Sequence, residues 1–576
     1  MACREQILSD DYMELLVDYA VTQEEVGIIS ACVERVDGQF VILYLDRRNL
    51  PAISVTSYVY NSIPKLYGLM QTPLEGSPVS RREFDPLNLI RSGILQTQRP
   101  PLSLTGEGVI IGFVDTGIDY ESEVFRREDG SSRILAIWDQ TIQDGLPPDG
   151  FSYGTEYNNE KLNEALLSEE PRSIVPSVDD LGHGTAMASV AAGSSVDYGL
   201  SFLGAAPDAD IVMVKCRQTK PYLRDYYLIP EDVPAYSGAD IGMAIKYLDS
   251  FANVGSRPVV ICIGMGTNWG NHSGDSVLAR YLNRIAVKRN RAVVVCGGNE
   301  GNAGHHFNSL LETDGAPVRE NVEVRVGEQE RGFLMELWGT APNIISISIR
   351  SPGGEVIPAI DFKSRETRNF TFIYERTRVT IDHILVEQAS GEELVVFRFV
   401  SPTPGVWTFN LEVRGDADYA PVNMWLPITQ FLNGDTFFLR STPYMTLTEP
   451  SLARDVMTPS TYNAANNSFY IESGRGFSKS EVKPDFAAPG VNISTVSGLQ
   501  SGSSLSAALT AGGAAQFMQW AVLQGNDPLA QTREINSYFV RGAERSSDLI
   551  YPNRSWGFGR LNVSRSFEII AGTAAE

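Results

Sequence analysis

The stretch Val109-Ile-Ile-Gly-Phe-Val-Asp115-Thr-Gly117 decides the fold, because a near-continuous apolar run ends there in an aspartate. Such runs are typical of strands that are buried on both faces of a parallel sheet. Helical stretches at residues 241–248 and 276–287 alternate with further runs of the same kind. These further runs are residues 210–214, 259–263 and 292–295. The alternation predicts an α/β fold, a parallel sheet with helices on both faces.

The first hundred residues have a different pattern and are predicted to form a small α+β unit. Met13, Leu16 and Tyr19 have helical spacing, which predicts a helix over residues 10–20. The other elements predicted here are strands at residues 40–45 and 53–60 and a Pro-, Arg- and Ser-rich linker at residues 75–101.

Residues 316–450 have the pattern of an all-β domain. Apolar and polar residues alternate in residues 322–326 and 345–349. Further candidates are strands at residues 370–374, 394–400, 406–413 and 436–439, followed by a small-residue helix at residues 504–521. Many short strands without helices between them predict a β-sandwich or jelly roll. Because the α/β pattern returns afterwards, we interpret this domain as an insertion between residues 97–315 and 451–576.

Charge and composition exclude several classes of protein. The chain has 576 residues with 47 Lys+Arg against 70 Asp+Glu, a net charge of −23, which argues against non-specific binding to nucleic acid or an anionic membrane. No stretch reaches the roughly 20 apolar residues of a membrane span, and no export signal is recognisable, so we expect a cytoplasmic protein. The five cysteines are few, odd in number and unclustered, which favours reduced thiols; they are Cys3, Cys32, Cys216, Cys262 and Cys296.

Three glycine-flanked segments carry the residue types of nucleophilic acyl transfer. Asp115 ends the apolar strand, His183 lies in Asp180-Leu-Gly-His183-Gly-Thr185, and Ser504 lies in Gly502-Ser-Ser504-Leu-Ser506. A serine needs an imidazole to take its proton, and the imidazole needs a carboxylate to hold its tautomer. Each residue alone is more often a cap or turn residue. All three at strand–helix junctions predict a catalytic triad.

A fourth segment, Cys296-Gly-Gly-Asn299-Glu-Gly301, follows the strand at residues 292–295. The side-chain amide of Asn299 is a candidate donor to the oxyanion of a tetrahedral intermediate. The backbone N–H of Ser504, at the start of its helix, is the candidate second donor.

These motifs resemble those of the subtilisin-type serine peptidases, whose triad runs Asp, His, Ser along the chain. Residues 483–490, Lys-Pro-Asp-Phe-Ala-Ala-Pro-Gly, are similar to the stretch that precedes the nucleophile in that family. The resemblance implies that substrate pairs as an added β-strand along Ile263, Gly264, Met265 and Gly266. Gly264 stands where the family often has serine, and the departure predicts altered specificity rather than lost activity.

A narrower resemblance is to the clostridial Csp germination proteases and their close bacterial relatives. It is carried by residues 101–108, by Trp138-Asp-Gln-Thr141 and by Gly154-Thr-Glu-Tyr157. It implies a prodomain at residues 1–96, a subtilase core and an inserted jelly roll at residues 316–450. It further implies activation of a cortex-lytic precursor in spore germination and a cytoplasmic or spore-associated location.

The linker before the core predicts self-cleavage within Gly93-Ile-Leu-Gln96-Thr97, between Gln96 and Thr97. The resemblance implies that the prodomain then remains bound in the cleft. An uncut linker is the alternative. Two other functions stay open, a general intracellular subtilase and a non-catalytic scaffold. We expect no cofactor and no metal, and interpret four histidines as surface residues: His272, His305, His306 and His383. The oligomeric state is left open.

Overall fold

The computed structural model describes residues 3–18, 32–70, 84–194, 202–253, 257–312, 317–360, 363–415, 418–477 and 481–573. Its central sheet has six strands, all parallel except for the last strand of the order. The order is Arg291–Val295, Val259–Ile263, Ile110–Asp115, Asp210–Lys215, Ile134–Asp139 and Thr155–Asn158. The predicted α/β class and its four predicted strands are confirmed.

Helices cover both faces of this sheet because successive strand residues belong to two different cores. Ile111 and Phe113 pack into one core, with His183–Ala192 and Ser503–Met518, while Ile110 and Val114 pack into the other. Gly238–Phe251 and Val277–Ala286 cover that second face. Further α-helices in the described residues after position 100 are Asn159–Leu166, Pro171–Ile174, Pro221–Tyr227, Thr532–Gly542 and Val563–Ile570.

The N-terminal unit contains the helix Arg4–Leu8 and a three-stranded antiparallel sheet in the order Tyr12–Asp18, Phe40–Asp46, Cys32–Arg35. The helix predicted at residues 10–20 is therefore wrong. Met13 and Leu15 pack into one core and Leu16 into the other. Both faces of the strand are therefore buried, and the alternation of apolar and polar residues that indicates a strand is absent. Tyr19 lies outside the described residues.

Three further predictions for the first hundred residues need correction. The strand predicted at residues 53–60 is a turn, because the Ser54 hydroxyl accepts a hydrogen bond from the N–H of Thr56 (3.0 Å). The predicted linker carries two helices, Leu87–Arg91 and Ile94–Thr97, while its residues 75–83 lie outside the described part. Cys3 and Cys32 form a disulfide, whereas Cys216, Cys262 and Cys296 are free and buried.

Strands between residues 306 and 438 form two antiparallel sheets that share one apolar core, containing Phe397, Phe399, Trp407 and Phe409. One sheet has the order His306–Glu312, Tyr419–Trp425, Gly332–Gly339, Glu393–Val400, Arg378–Ile384, Glu366–Thr371. The other has the order Val356–Ile360, Ile344–Arg350, Gly405–Arg414, Val318–Val326, Phe437–Phe438. The first strand thus begins before residue 316.

Further short strands form three small sheets. Three of them form a sheet in the order Ser468–Phe469, Pro459–Asn463, Phe486–Pro489, and two form the hairpin Ile493–Thr495, Gly498–Gln500. A separate sheet joins Met265–Gly266, Leu66–Leu69 and Tyr236–Ser237. Across the described ranges, no helix is long and apolar enough to cross a membrane.

Candidate active site

The structure places Asp115 and His183 in contact. Asp115 ends its strand, His183 opens its helix, and Nδ1 of the imidazole lies 2.7 Å from Oδ1 of the carboxylate. Both side chains are buried. Burial lowers the pKa of His183, but the charge and hydrogen bond of Asp115, together with the charge of Asp179, raise it, so that the pKa stands above its ordinary value. The pair can therefore hold and stabilise an imidazolium.

Ser504 is the second residue of the helix Ser503–Met518 and is fully buried. Its Oγ and the Nε2 of His183 have no hydrogen-bond partner within the described residues. A buried hydroxyl and a buried imidazole nitrogen without partners are the two atoms between which acyl transfer moves a proton.

Asn299 is held beside the start of the same helix. Its Oδ1 accepts a hydrogen bond from the N–H of Ser503 (3.0 Å), and the Ser503 hydroxyl accepts one from the N–H of Gly298 (3.1 Å). With Oδ1 occupied, the Nδ2 group is the amide's free donor. Asn299 lines a cavity of about 420 Å³ together with Met70.

The strand Leu66–Leu69 occupies the groove in front of Ser504. It lies between Tyr236–Ser237 and Met265–Gly266, where Leu69 pairs antiparallel with Met265 and Gly68 with Gly266. Met70 donates its N–H to the carbonyl of Gly264 (3.1 Å) and accepts at its own carbonyl from the N–H of Ser504 (3.2 Å). The Met70 carbonyl thus sits where a scissile carbonyl would meet the nucleophile's amide.

Of the four residues predicted to bind substrate, three lie along this strand and one does not. Gly264, Met265 and Gly266 face Leu66–Leu69 or Met70 through backbone groups. Ile263 ends a strand of the central sheet, and its carbonyl accepts from the N–H of Cys296 (3.1 Å).

The structure does not place Gln96 and Thr97, the residues of the predicted cleavage, in the groove. Both lie in the helix Ile94–Thr97, and Thr97 is fully buried with its hydroxyl 2.5 Å from Oε1 of Gln516. Gln516 follows Ser504 by twelve residues on one helix, about 18 Å at 1.5 Å per residue. Ile94 anchors the segment in the core, so it is the run Leu66-Tyr-Gly-Leu-Met70 that reaches the groove.

The surroundings of Gly264 explain why this position holds glycine rather than serine. A Cβ there would lie 2.9 Å from both Asp115 Oδ2 and His183 Cε1, and closer still to Sδ of Met187. The side chain of Met187 therefore fills the space that a serine at position 264 would need.

Sequence reasoning missed Asp179, which joins the two motifs that carry Asp115 and His183. Its Oδ1 accepts from the hydroxyl of Thr116 (2.7 Å) and the N–H of Gly182 (2.9 Å). Its Oδ2 accepts from the N–H (2.8 Å) and hydroxyl (2.7 Å) of Thr185. An acid three residues before the glycine of the histidine motif was the available signal.

We expect Asp179→Asn to lower kcat about 10- to 100-fold with little change in KM, because one amide nitrogen cannot accept the bonds of a carboxylate oxygen. Steady-state kinetics and the thermal midpoint would be measured together. Asp180→Asn, at the exposed neighbour, is the matched control and should leave kcat unchanged. Equal kinetics for both variants would contradict a positioning role for Asp179.

Glu449 is a buried carboxyl group next to the strands that flank the groove. Its backbone pairs with Thr267 (2.9 Å), and its carboxyl accepts from the N–H of Gly274 (3.2 Å) and the hydroxyl of Ser276 (3.0 Å). Burial raises the pKa of Glu449 to about 7, more than these hydrogen bonds lower it.

Because the folded chain binds this proton more tightly than the unfolded chain, Glu449 should favour folding at low pH. Its contribution should be lost as the pH rises from about 4.5 to about 7, with a loss of ~3 kcal/mol. We expect Glu449→Gln to raise the thermal midpoint relative to the wild type at pH 8 but not at pH 4.5. Glu107→Gln, at an exposed site, should follow the wild type at both pH values. A Glu449→Gln midpoint that tracks the wild type at both pH values would contradict the shift.

The four histidines interpreted as surface residues are all buried. His272 and His306 stack on Trp425, with ring centroids 4.2 Å and 4.5 Å away. His305 contacts Glu300 (2.6 Å) and His383 contacts Glu393 (2.8 Å). Among the described residues, no group of three or more His, Cys, Asp or Glu side chains is arranged to hold a metal ion.

This fold and this arrangement of acid, imidazole, hydroxyl and amide define the chain as subtilisin-like. The chain belongs to the subtilase family, whose sequence pattern matches residues 106–559. Among solved structures it is similar to the CspB protease of Clostridium perfringens, with 28% identity, a TM-score of 0.74, and coverage of 85% of this chain and 98% of that one.

Curated relatives match a shorter part of the chain. "Subtilisin-like protease SBT3.8" of Arabidopsis thaliana is 31% identical over 179 residues, which are 28% of this chain and 21% of the relative. "Subtilisin-like protease SBT3.6" of the same plant is 28% identical over 179 residues, with the same coverage. The chain thus spans about a fifth of the length of the curated relatives it matches.

Proposed function

We propose that this chain is a serine endopeptidase that cleaves its own N-terminal unit and then a protein substrate. The observation that carries the proposal is the position of Met70, which directly follows the strand Leu66–Leu69 docked antiparallel on Met265–Gly266. The Met70 carbonyl accepts a hydrogen bond from the N–H of Ser504. A peptide held this way presents its carbonyl to the adjacent hydroxyl.

In the proposed mechanism, Ser504 attacks the carbonyl while His183 takes its proton through Nε2. Asp115 holds the imidazole through Nδ1 and stabilises the imidazolium. The N–H of Ser504 and the Nδ2 group of Asn299 stabilise the oxyanion. His183 then returns the proton to the leaving amine, and water hydrolyses the acyl-enzyme with the same groups.

The proposed self-cleavage breaks the bond between Met70 and Gln71. Residues 1–70 would then form the prodomain, a shorter unit than the predicted residues 1–96. A buried cluster supports continued binding after the cut, because Arg217 pairs with both Glu14 (3.0 Å) of the N-terminal unit and Asp240 (2.8 Å) of the core. Burial and the nearby Asp240 raise the pKa of Glu14, against the effect of Lys220 and Arg217.

The substrate is proposed to be a protein precursor that is cut at one site. The resemblance to the Csp proteases implies that this precursor is a cortex-lytic proenzyme of spores. The inserted β-sandwich, interpreted as a jelly roll, would assist that selection. The alternatives are a broad intracellular subtilase and a non-catalytic scaffold.

Active-site labelling tests the activity itself. A fluorophosphonate probe should label the wild type but neither Ser504→Ala nor His183→Ala. Release of residues 66–70 from the groove should limit the rate of labelling of the wild type. An unlabelled wild type that also remains uncut would overturn the proposal and favour the scaffold. Digestion of a folded precursor beside unfolded casein separates the other two, because a processing enzyme should yield one new N-terminus.

A further inference from the structure

The segment Ile428–Phe431 of the inserted domain covers the groove above Gly68 and Leu69, and we call it the roof. Ile428 and Phe431 are buried, and Phe431 stacks on Trp269 with ring centroids 5.5 Å apart. Thr429 donates its N–H to Glu300 (3.0 Å), the residue after Asn299. The roof is therefore fixed both to the core and to the loop that carries the candidate oxyanion donor.

Gln430 of the roof binds the backbone of Leu69 with both ends of its amide. The N–H of Leu69 donates to Oε1 (3.1 Å), and Nε2 donates to the Leu69 carbonyl. The flanking strand Tyr236–Ser237 pairs only with Leu66 and Tyr67, so it ends before Leu69. The Gln430 amide thus replaces a strand residue at this position, because an amide offers the donor and acceptor of a peptide group.

Gly68 is the position at which the roof excludes a side chain. A Cβ there would lie 2.5 Å from Cδ1 of Ile428, 2.9 Å from Oε1 of Gln430 and 3.4 Å from Phe431. Gly68 has no positive φ, so its backbone would accept any residue and the constraint is one of space. Since Ile428 and Phe431 are packed in the core, they cannot move aside without loss of packing.

We propose that the roof makes this enzyme specific for extended segments that carry glycine at the position of Gly68, two residues before the residue whose carbonyl is attacked. Gln430 is the residue that positions the substrate backbone. The inference rests on the proposed function, since it takes Met70 as the residue whose carbonyl is attacked. The substrate class is a flexible peptide of the type Tyr-Gly-Leu-Met, and a bulkier residue in place of that glycine is rejected by contact with Ile428.

Self-cleavage of the full chain tests this inference with the substrate already in place. We expect Gly68→Ala and Gln430→Ala each to slow the cut after Met70 about 10-fold, through overpacking and through two lost hydrogen bonds. Gln329→Ala, at an exposed glutamine of the same domain, should cut at the wild-type rate. Adding Ile428→Ala to Gly68→Ala should restore at least part of the rate, since it frees the space that the added methyl group needs; a merely destabilised fold would become worse.

The outcomes separate the two proposals. Normal cutting by Gly68→Ala and Gln430→Ala, or no rescue by Ile428→Ala in chains with folded thermal midpoints, would overturn the role of the roof alone. A wild type that neither self-cleaves nor hydrolyses Tyr-Gly-Leu-Met and Tyr-Ala-Leu-Met anilides would overturn the proposed function, and the roof with it. Preference for the glycine anilide by about 10-fold in kcat/KM is the supporting result in trans.

Discussion

The Ser504→Ala chain should remain one polypeptide of 576 residues, whereas the wild type should separate on denaturation into residues 1–70 and 71–576. The expectation follows from the Met70 carbonyl, which accepts a hydrogen bond from the N–H of Ser504 and therefore lies next to the nucleophile. In subtilisin, loss of the nucleophile alone lowers kcat about 10⁶-fold, so no cut should accumulate over days. Intact mass and N-terminal sequencing would identify the bond.

The variant should fold as the wild type does, because Ser504 Oγ makes no hydrogen bond within the described residues whose loss would leave a partner unsatisfied. Ser506→Ala is the matched control. Its hydroxyl contacts the hydroxyl of Thr461 (3.0 Å) and the carbonyl of Pro489 (3.1 Å), so this variant should lose thermal stability and still be cut. Cutting of Ser504→Ala at Met70, or a wild-type cut after Gln96, would contradict the assignment.

The parts of the fold that were predictable are those with local signals. The strand Ile110–Asp115 and the helices that begin at His183 and Ser503 are marked by apolar runs and by glycines within a few residues. Parallel strands bring their carboxyl ends, and the helices that begin beside them, to one edge of a sheet. The sequence could therefore predict that Asp115 and His183 lie close together.

What sequence reasoning missed depends on contacts between distant residues. Leu66–Leu69 is only four residues long, and its partners lie at Tyr236–Ser237 and Met265–Gly266. Four residues are too few to show a hydrophobic periodicity, so no local pattern in the sequence indicates the segment that fills the groove. The disulfide between Cys3 and Cys32 is a second example, because folding of the N-terminal unit brings the two residues together and their spacing in the sequence does not indicate it.

Replacement of Asn299 should produce the second-largest loss, a 100- to 1000-fold lower kcat for Asn299→Ala, as for a donor of this kind in subtilisin. The loss should fall on kcat rather than KM, because the oxyanion exists only in the transition state and intermediate. Single-turnover self-cleavage and anilide hydrolysis would both be measured. Asn302→Ala, at an exposed asparagine of the same loop that also lines the cavity, should retain wild-type kcat.

A structural role for Asn299 must be separated from a catalytic one, because its Oδ1 accepts from the N–H of Ser503. Asn299→Asp separates them: the carboxylate can still accept that bond but has no donor for an oxyanion. If Asn299 acts only by holding Ser503, Asn299→Asp should keep near-wild-type kcat while Asn299→Ala loses it. If the Nδ2 group stabilises the oxyanion, both variants should lose at least 100-fold, and only Asn299→Ala should also lower the thermal midpoint.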